Sequence, residues 1–140
     1  MSKKIVENVI LFLIYGLIYF IIETIYKYPR PSHWTMFVLG GILGIIIGML
    51  NEDLSWETPI WLQSVVGGCI VTIFELFFGL ILNVWLGLNI WDYSDLPCNF
   101  MGQICLQFTL IWCVLSIVCI VLDDWLRYWL FGEEKPHYVW

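Results

Sequence analysis

Two carboxyl groups lie inside long apolar stretches, and they are the residues of this sequence best suited to chemistry. Glu75 lies in the apolar run 60–82, and Glu23 lies near the end of the run 5–26. An acid within a membrane-spanning helix costs about 2.5–3.5 kcal/mol on insertion scales, so both side chains should face protein rather than lipid. Two neighbouring carboxyl groups in that setting could exchange a proton or hold a cation.

Amide side chains are predicted to lie in the same half of the membrane as the two acids. Gln103 and Gln107 belong to the first half of the run 99–122, which crosses in the direction opposite to the two runs that hold the acids. Asn83 and the long connection after it emerge on that side too, away from the termini. We therefore predict a pocket for a substrate or ion, with nine residues: Glu23, Glu75, Asn83, Trp91, Asp92, Tyr93, Ser94, Gln103 and Gln107.

Each part of this predicted pocket also has a simpler interpretation. Glu23 has Lys27 at the i+4 position of a helix, so the two could form only an ion pair at the membrane surface. Glu75 has no cation in its own run and could be a structural acid bonded to glutamine or threonine. Residues 91–94 could cover the pocket as a lid or form a plain turn before the last helix.

Several functional classes lack their residues here. His33 and His137 are isolated and the five cysteines show no C-x-x-C spacing, so we expect no metal site. The chain has no G-x-x-x-x-G-K-[ST] phosphate loop and no activated nucleophile, so we expect no cofactor and no enzymatic activity. Six lysines and arginines against twelve aspartates and glutamates leave no basic stripe, which excludes nucleic acid as a main partner.

The composition indicates an integral membrane protein, with the lipid bilayer as its surroundings. The chain is 61% hydrophobic and 13% charged, whereas soluble domains are about 45–50% apolar and 25% charged. About 20 helical residues cross a hydrocarbon core of roughly 30 Å. The sequence therefore predicts an all-α, polytopic fold with four transmembrane helices, at about 5–26, 33–50, 60–82 and 99–122.

One domain, residues 1–132, is predicted to end in a further helix after the fourth span. Leu122, Trp125, Leu126 and Trp129 form one stripe of this segment, which is typical of an amphipathic helix that continues into the membrane interface or lies along it. Gly132 would end that helix. Residues 133–140 are then a short polar tail.

The distribution of basic residues predicts the orientation of the chain. Four crossings bring both termini and the second connection to one side. That side carries four basic residues against two on the other: Lys3, Lys4, Arg127 and Lys135 against Lys27 and Arg30. The positive-inside rule then favours cytoplasmic termini.

Glycines at helical spacing predict close helix packing. Gly40, Gly44 and Gly48 repeat every four residues in the second predicted span, and Gly68 and Gly79 belong to a small-residue stripe in the third. Such residues let two backbones approach closely in lipid. The seam in the second span could serve packing within the chain or self-association between copies.

The third and fourth spans carry a specific set of motifs. These are Glu75-Leu-Phe-Phe-Gly79-x3-Asn83, then Trp91-Asp-Tyr-Ser94 and Pro97-x-Asn99-x2-Gly102-x-Ile-Cys-Leu106. In these motifs the chain resembles the putative ABC-transporter type IV permease family, as a short, divergent member of bacterial or prophage type. The resemblance implies a multi-pass protein of the bacterial inner membrane, a role in transport, and a separate ATPase or other partner subunit.

Two functions are compatible with these observations. The first is a small transporter or channel-like protein, a homo-oligomer, that binds a proton, a cation or a small polar solute in the acidic pocket. The second is a membrane scaffold or a phage-associated lysis or exclusion protein that assembles through its glycine seam.

Overall fold

The computed structural model describes all 140 residues, of which 69% are helical. Five α-helices follow one another along the chain: α1 (Lys3–Tyr26), α2 (Trp34–Gly48), α3 (Leu50–Leu54), α4 (Ile60–Gly79) and α5 (Leu106–Leu126). The last two continue as wider π-helical turns, α4 over Leu80–Trp85 and α5 over Arg127–Phe131.

Four helical segments are long and apolar enough to cross a membrane. They are Lys3–Tyr26, Trp34–Leu54, Ile60–Trp85 and Leu106–Phe131. Large apolar side chains such as Leu17, Ile73 and Val118 are exposed along them, as expected for helices surrounded by lipid. The predicted all-α fold with four transmembrane helices is confirmed.

The fourth helix begins later than the sequence predicts. Residues 99–105 form a short antiparallel hairpin, in which β1 (Asn99–Phe100) pairs with β2 (Ile104–Cys105). The hairpin turn places Met101 and Gly102 at positive φ, which is incompatible with a helix. Helix α5 therefore starts at Leu106, seven residues after the predicted start at Asn99.

Of the two predicted forms of the segment after Leu122, the structure has the helix that continues the fourth span, and it shows no separate helix along the interface. The segment is the continuation of α5, which runs without a break to Phe131 and ends at Gly132 with a φ of 70°. The tail 133–140 packs back on the bundle, because the Val139 carbonyl accepts a hydrogen bond from the Ile60 amide at 2.7 Å. His137 stacks on Trp56 with ring centres 5.0 Å apart.

Glycines join the helices into two pairs. In the α1–α2 pair, Gly40 contacts the Tyr19 side chain and Gly44 contacts the Tyr15 side chain, each so closely that a Cβ would clash. At the end of α2, Gly48 packs against Asp123 of α5. The glycine seam of the second span is therefore used within the chain, which removes the surface on which the self-association alternative depended.

The α4–α5 pair packs in the same way. Gly68 faces the Cys113 backbone, and Gly67 faces Ser116. The hydroxyl of Ser64 donates to the Cys113 carbonyl at 2.8 Å. The two pairs meet where α2 contacts α5, around a buried cluster of Ile47, Leu50, Ile60, Val71 and Ile120.

Both termini lie at the same end of the bundle. Near the start of α1, Asn8 accepts a hydrogen bond at 3.1 Å from Arg127, which follows α5 directly. This is the arrangement that four crossings require.

Candidate functional site

A cavity of about 200 Å³ lies between α1, α2, α4 and α5. Its wall is mainly apolar, with two acids, Glu23 and Glu75. Aromatic side chains from several parts of the chain also line it: Tyr15, Tyr19, Trp91, Tyr93 and Trp112. Both carboxyl groups that the sequence singles out therefore border one space.

Glu75 is the deeply buried acid of this cavity. It follows Gly68 and Val71 on the buried face of α4 and is 6% exposed. Its Oε2 accepts a hydrogen bond from Nε1 of Trp112 at 2.5 Å. None of the four ion pairs in the protein includes Glu75, so its carboxyl group has dipolar partners and no cation.

Tyr93 places a second hydrogen-bond donor near Glu75. Burial and the neighbouring Glu75 carboxylate raise the pKa of Tyr93. The phenol therefore keeps its proton and remains a donor. The Tyr93 ring stacks on Phe108 with centres 4.6 Å apart, which holds the connection against α5.

Glu23 is satisfied within the chain. Its Oε1 lies 2.8 Å from Nζ of Lys27, and its Oε2 accepts from the Ser32 hydroxyl at 2.6 Å. Lys27 also donates to the Ile90 carbonyl at 2.6 Å. Glu23 therefore borders the cavity as half of an ion pair with Lys27, as the i,i+4 spacing predicts. Through its bond to Ile90, Lys27 fastens the end of α1 to the third connection, residues 86–98 between the third and fourth membrane-spanning segments.

The side chains of Asn83 and Gln103 are used in hydrogen bonds within the chain and have a structural role. Asn83 donates to the Gln103 side-chain oxygen at 2.8 Å and accepts from the Ile90 amide at 2.7 Å. The Trp91 indole donates to the Gln103 carbonyl at 3.0 Å. Gln103 lies in the hairpin, not on the fourth helix, and this network fixes the buried Trp91 over the end of α4.

Five of the nine predicted pocket residues do not line the cavity: Asn83 and Gln103, which form the network just described, and Asp92, Ser94 and Gln107. Gln107 is exposed in the first turn of α5. Asp92 and Ser94 are exposed and bond to each other, which lowers the pKa of Asp92. In residues 91–94 only Trp91 and Tyr93 point inward, so the expectation that all four cover the pocket is wrong for Asp92 and Ser94.

A second polar cluster, at the end of the bundle that holds the termini, does not appear in the sequence-based prediction. Asp123 is 1% exposed, accepts from the Tyr15 hydroxyl at 2.5 Å and lies 2.8 Å from Nε of Arg127. Arg127, at 3% exposure, also contacts Asn8 and Glu133. Asp123, Asp124 and Arg127 interrupt an apolar part of the sequence, and this is the signal that could have indicated the cluster.

Asp124 ties the tail and α3 into the same cluster. Its Oδ2 accepts from Asn51 at 2.7 Å and from the Tyr138 hydroxyl at 2.9 Å. Burial and the Asp124 carboxylate raise the pKa of Tyr138, so this phenol remains a donor. The tail, predicted to be merely polar, is part of the packed structure.

No group of three or more His, Cys, Asp or Glu side chains lies close enough to hold a metal ion. The five cysteines are free. The chemistry available at the cavity is therefore that of one carboxyl group, indole and phenol donors, and aromatic faces.

Replacing Asn83 with alanine tests the role of the amide network. The change removes the side-chain bonds that hold residues 90, 91 and 103, so we expect the third connection to open more easily by about 1–2 kcal/mol. Chymotrypsin cleavage after Trp91 or Tyr93, followed by mass spectrometry, should become about tenfold faster. Gln107→Ala removes an exposed amide and should leave the rate unchanged; equal rates for the two variants would contradict the assignment.

Residues 10–133 match the family described as "Putative ABC-transporter type IV". No solved structure matches the chain.

Proposed function

Because the chain belongs to the putative ABC-transporter type IV family, we propose that it is a small transporter or channel-like protein that binds its ligand at Glu75. The ligand is a proton, a cation or a small polar solute. The protein acts by binding and passage rather than by catalysis.

One observation carries the proposal: Glu75 borders a cavity inside a membrane protein without a cation to neutralise it. An acid in this position is costly and is a functional candidate by default. A purely structural acid would be expected to have all its neighbours fixed by packing. Glu75 instead faces open volume on one side and the donors Trp112 and Tyr93 on the other.

The remaining parts of the cavity have distinct roles in this proposal. Trp112 orients the carboxyl group by donating a hydrogen bond to it, and Tyr93 lies beside it on the cavity wall. Trp91, held by Gln103, closes the cavity on the side away from the termini. The Glu23–Lys27 pair fixes the third connection and leaves Glu75 as the unpaired acid.

The proposal includes the setting of the protein. The chain is a multi-pass membrane protein. We place it in the bacterial inner membrane, as the family implies, and we place its termini in the cytoplasm on the basis of the four-to-two distribution of basic residues. It has no phosphate loop of its own, so ATP-driven transport would need a separate ATPase subunit, and we expect a homo-oligomer.

The alternative role as a scaffold or phage-associated lysis protein finds no support in the packing. That role depends on the glycine seam of α2 as a surface between copies. Gly40, Gly44 and Gly48 are already covered by Tyr19, Tyr15 and Asp123 of the same chain.

Glu75→Gln tests the proposal in vesicles. Purified protein is reconstituted with a pH-sensitive dye inside, and proton and monovalent-cation flux is followed under an imposed gradient. We expect flux to fall at least fivefold in Glu75→Gln, because the amide can neither release a proton nor neutralise a cation. Glu57→Gln, at an exposed site outside the cavity, should keep the flux of the unchanged protein. Equal flux in the two variants would remove Glu75 from the mechanism.

A further inference from the structure

We infer that the cavity takes an amphiphilic organic cation, which enters sideways from the lipid between α1 and α5. The inference rests on the proposed function and narrows it, because it names the substrate class and the route to the same site. Three features lead to it: the gap between the two helices, the closure of both ends, and the chemistry of the wall.

The gap exists because α1 and α5 do not pack directly on each other. Helix α1 packs on α2, and α5 packs on α4 and α2. Side chains bridge the space at three points: Tyr15 and Asp123 at one end, Tyr19 and Trp112 in the middle with ring centres 6.4 Å apart, and Tyr26 and Phe108 at the other end with ring centres 6.5 Å apart. Between these bridges the cavity wall reaches the outer surface of the bundle.

The residues at this opening are apolar and exposed to lipid. Ile18 and Ile22 of α1 and Leu115 and Val118 of α5 both line the cavity and are exposed on the outside, Val118 by 57%. A path lined in this way admits apolar groups from the bilayer. Side chains determine the width of this path, because the backbones of α1 and α5 are not in contact there.

In contrast to this lipid-facing opening, both ends of the cavity are closed to water by side chains. At the end of the bundle that holds the termini, the hydrogen bond between Tyr15 and Asp123 spans the gap between α1 and α5, and Arg127 donates a further hydrogen bond to Asp123. At the other end, Trp91 is buried and bonded to Gln103, and Tyr93 stacks on Phe108. A ligand therefore reaches Glu75 most directly through the lipid-facing opening.

The wall favours an organic cation over a hydrated ion. Of the two cavity acids only Glu75 lacks a cation, and an inorganic ion that lost its water here would gain one carboxylate and mostly apolar contacts. An alkylammonium group keeps its apolar shell and can rest on aromatic faces, and Tyr19, Trp91, Tyr93 and Trp112 provide such faces around the acid. An anion would be repelled by Glu75.

The volume indicates how such a ligand would lie. About 200 Å³ is below the 300–1,000 Å³ typical of sites that enclose a whole small molecule. The cationic head group would fit beside Glu75, and the apolar part would extend through the opening between Ile22 and Val118 into the bilayer.

Equilibrium binding to the full chain in nanodiscs of zwitterionic lipid tests this inference. Three probes separate the requirements: decyltrimethylammonium, decyl sulfate with the same chain but opposite charge, and tetramethylammonium with the head group alone. Empty nanodiscs correct for partition into lipid. We expect saturable binding of decyltrimethylammonium, at least tenfold tighter than tetramethylammonium, and no saturable binding of decyl sulfate. Equal binding of decyl sulfate, as a fatty acyl chain in the cavity would give, overturns the inference.

Variants locate the site and the route. Glu75→Gln should weaken decyltrimethylammonium binding at least tenfold, and Glu57→Gln should not change it. Val118→Trp fills the opening and should slow association at least tenfold, whereas Val114→Trp, one turn away and equally lipid-facing but outside the cavity wall, should not. The two valine variants test the route even if the Glu75→Gln variant fails to fold. Equal association rates in Val118→Trp and Val114→Trp would overturn the lateral route.

The binding and flux experiments distinguish a wrong substrate class from a wrong proposed function. Flux that depends on Glu75, without saturable binding of decyltrimethylammonium, overturns the substrate class and leaves the proposed function intact. Binding that depends on Glu75, without any Glu75-dependent flux of protons, monovalent cations or decyltrimethylammonium, supports the class of ligand and contradicts transport.

Discussion

Replacing Arg127 with methionine is expected to destabilise the protein by about 3–5 kcal/mol. The substitution keeps most of the apolar stem and removes the charge that faces Asp123 at 2.8 Å. Asp123 is almost fully buried and would keep only the Tyr15 hydroxyl as a partner. A buried carboxylate without its cation costs far more than the loss of a surface ion pair.

The free energy of unfolding can be measured by titrating the protein from mild detergent into sodium dodecyl sulfate and following helicity by circular dichroism. Arg30→Met removes an exposed arginine and should change the free energy by less than about 0.5 kcal/mol. The double variant Asp123→Asn with Arg127→Met should recover at least half of the loss, because it removes the uncompensated charge. A single variant Arg127→Met that unfolds like Arg30→Met would show that the ion pair does not hold α5 in place.

Gly68→Leu is expected to separate α4 from α5 and to lower the free energy of unfolding by about 3 kcal/mol. A Cβ at position 68 would lie 3.0 Å from both the Cα and the backbone nitrogen of Cys113. Backbone atoms cannot rotate away as a side chain can, so the helices themselves would have to move. The same denaturant titration measures the loss.

Cys69→Leu is the matched control, because it adds a similar side chain at the next position of α4, which is exposed. It should unfold within about 0.5 kcal/mol of the unchanged protein. Equal stability of Gly68→Leu and Cys69→Leu would mean that the close approach of α4 and α5 contributes little.

The four crossings are accessible from sequence because hydrophobicity alone determines them. Any helix of about 20 apolar residues is driven into the bilayer, whatever it packs against later. The start of α5 was harder to place, since residues 99–105 are apolar enough for a helix but fold as a hairpin. The left-handed backbone of Met101, a residue that rarely adopts it, gives no signal in the sequence.

The cavity acid and the polar cluster show where sequence reasoning stops. Glu75 stands out because a single acid interrupts a long apolar run. Asp123 and Arg127 belong to the segment that a stripe of tryptophan and leucine predicts to be an interfacial helix, and that stripe indicates no partner for either of them. Their partners Tyr15 and Asn8 lie more than 100 residues away in the chain, and no local spacing could connect them.

The charges of the last helix have a consequence for how the protein is made. Asp123, Asp124 and Arg127 make this segment a poor candidate for moving alone from the insertion machinery into lipid. Their partners Asn8, Tyr15 and Asn51 belong to segments that are synthesised earlier. The nascent final segment should therefore wait beside the translocon until the preceding ones are assembled to receive it, and a shortened chain without its first crossing should leave it stranded there for degradation.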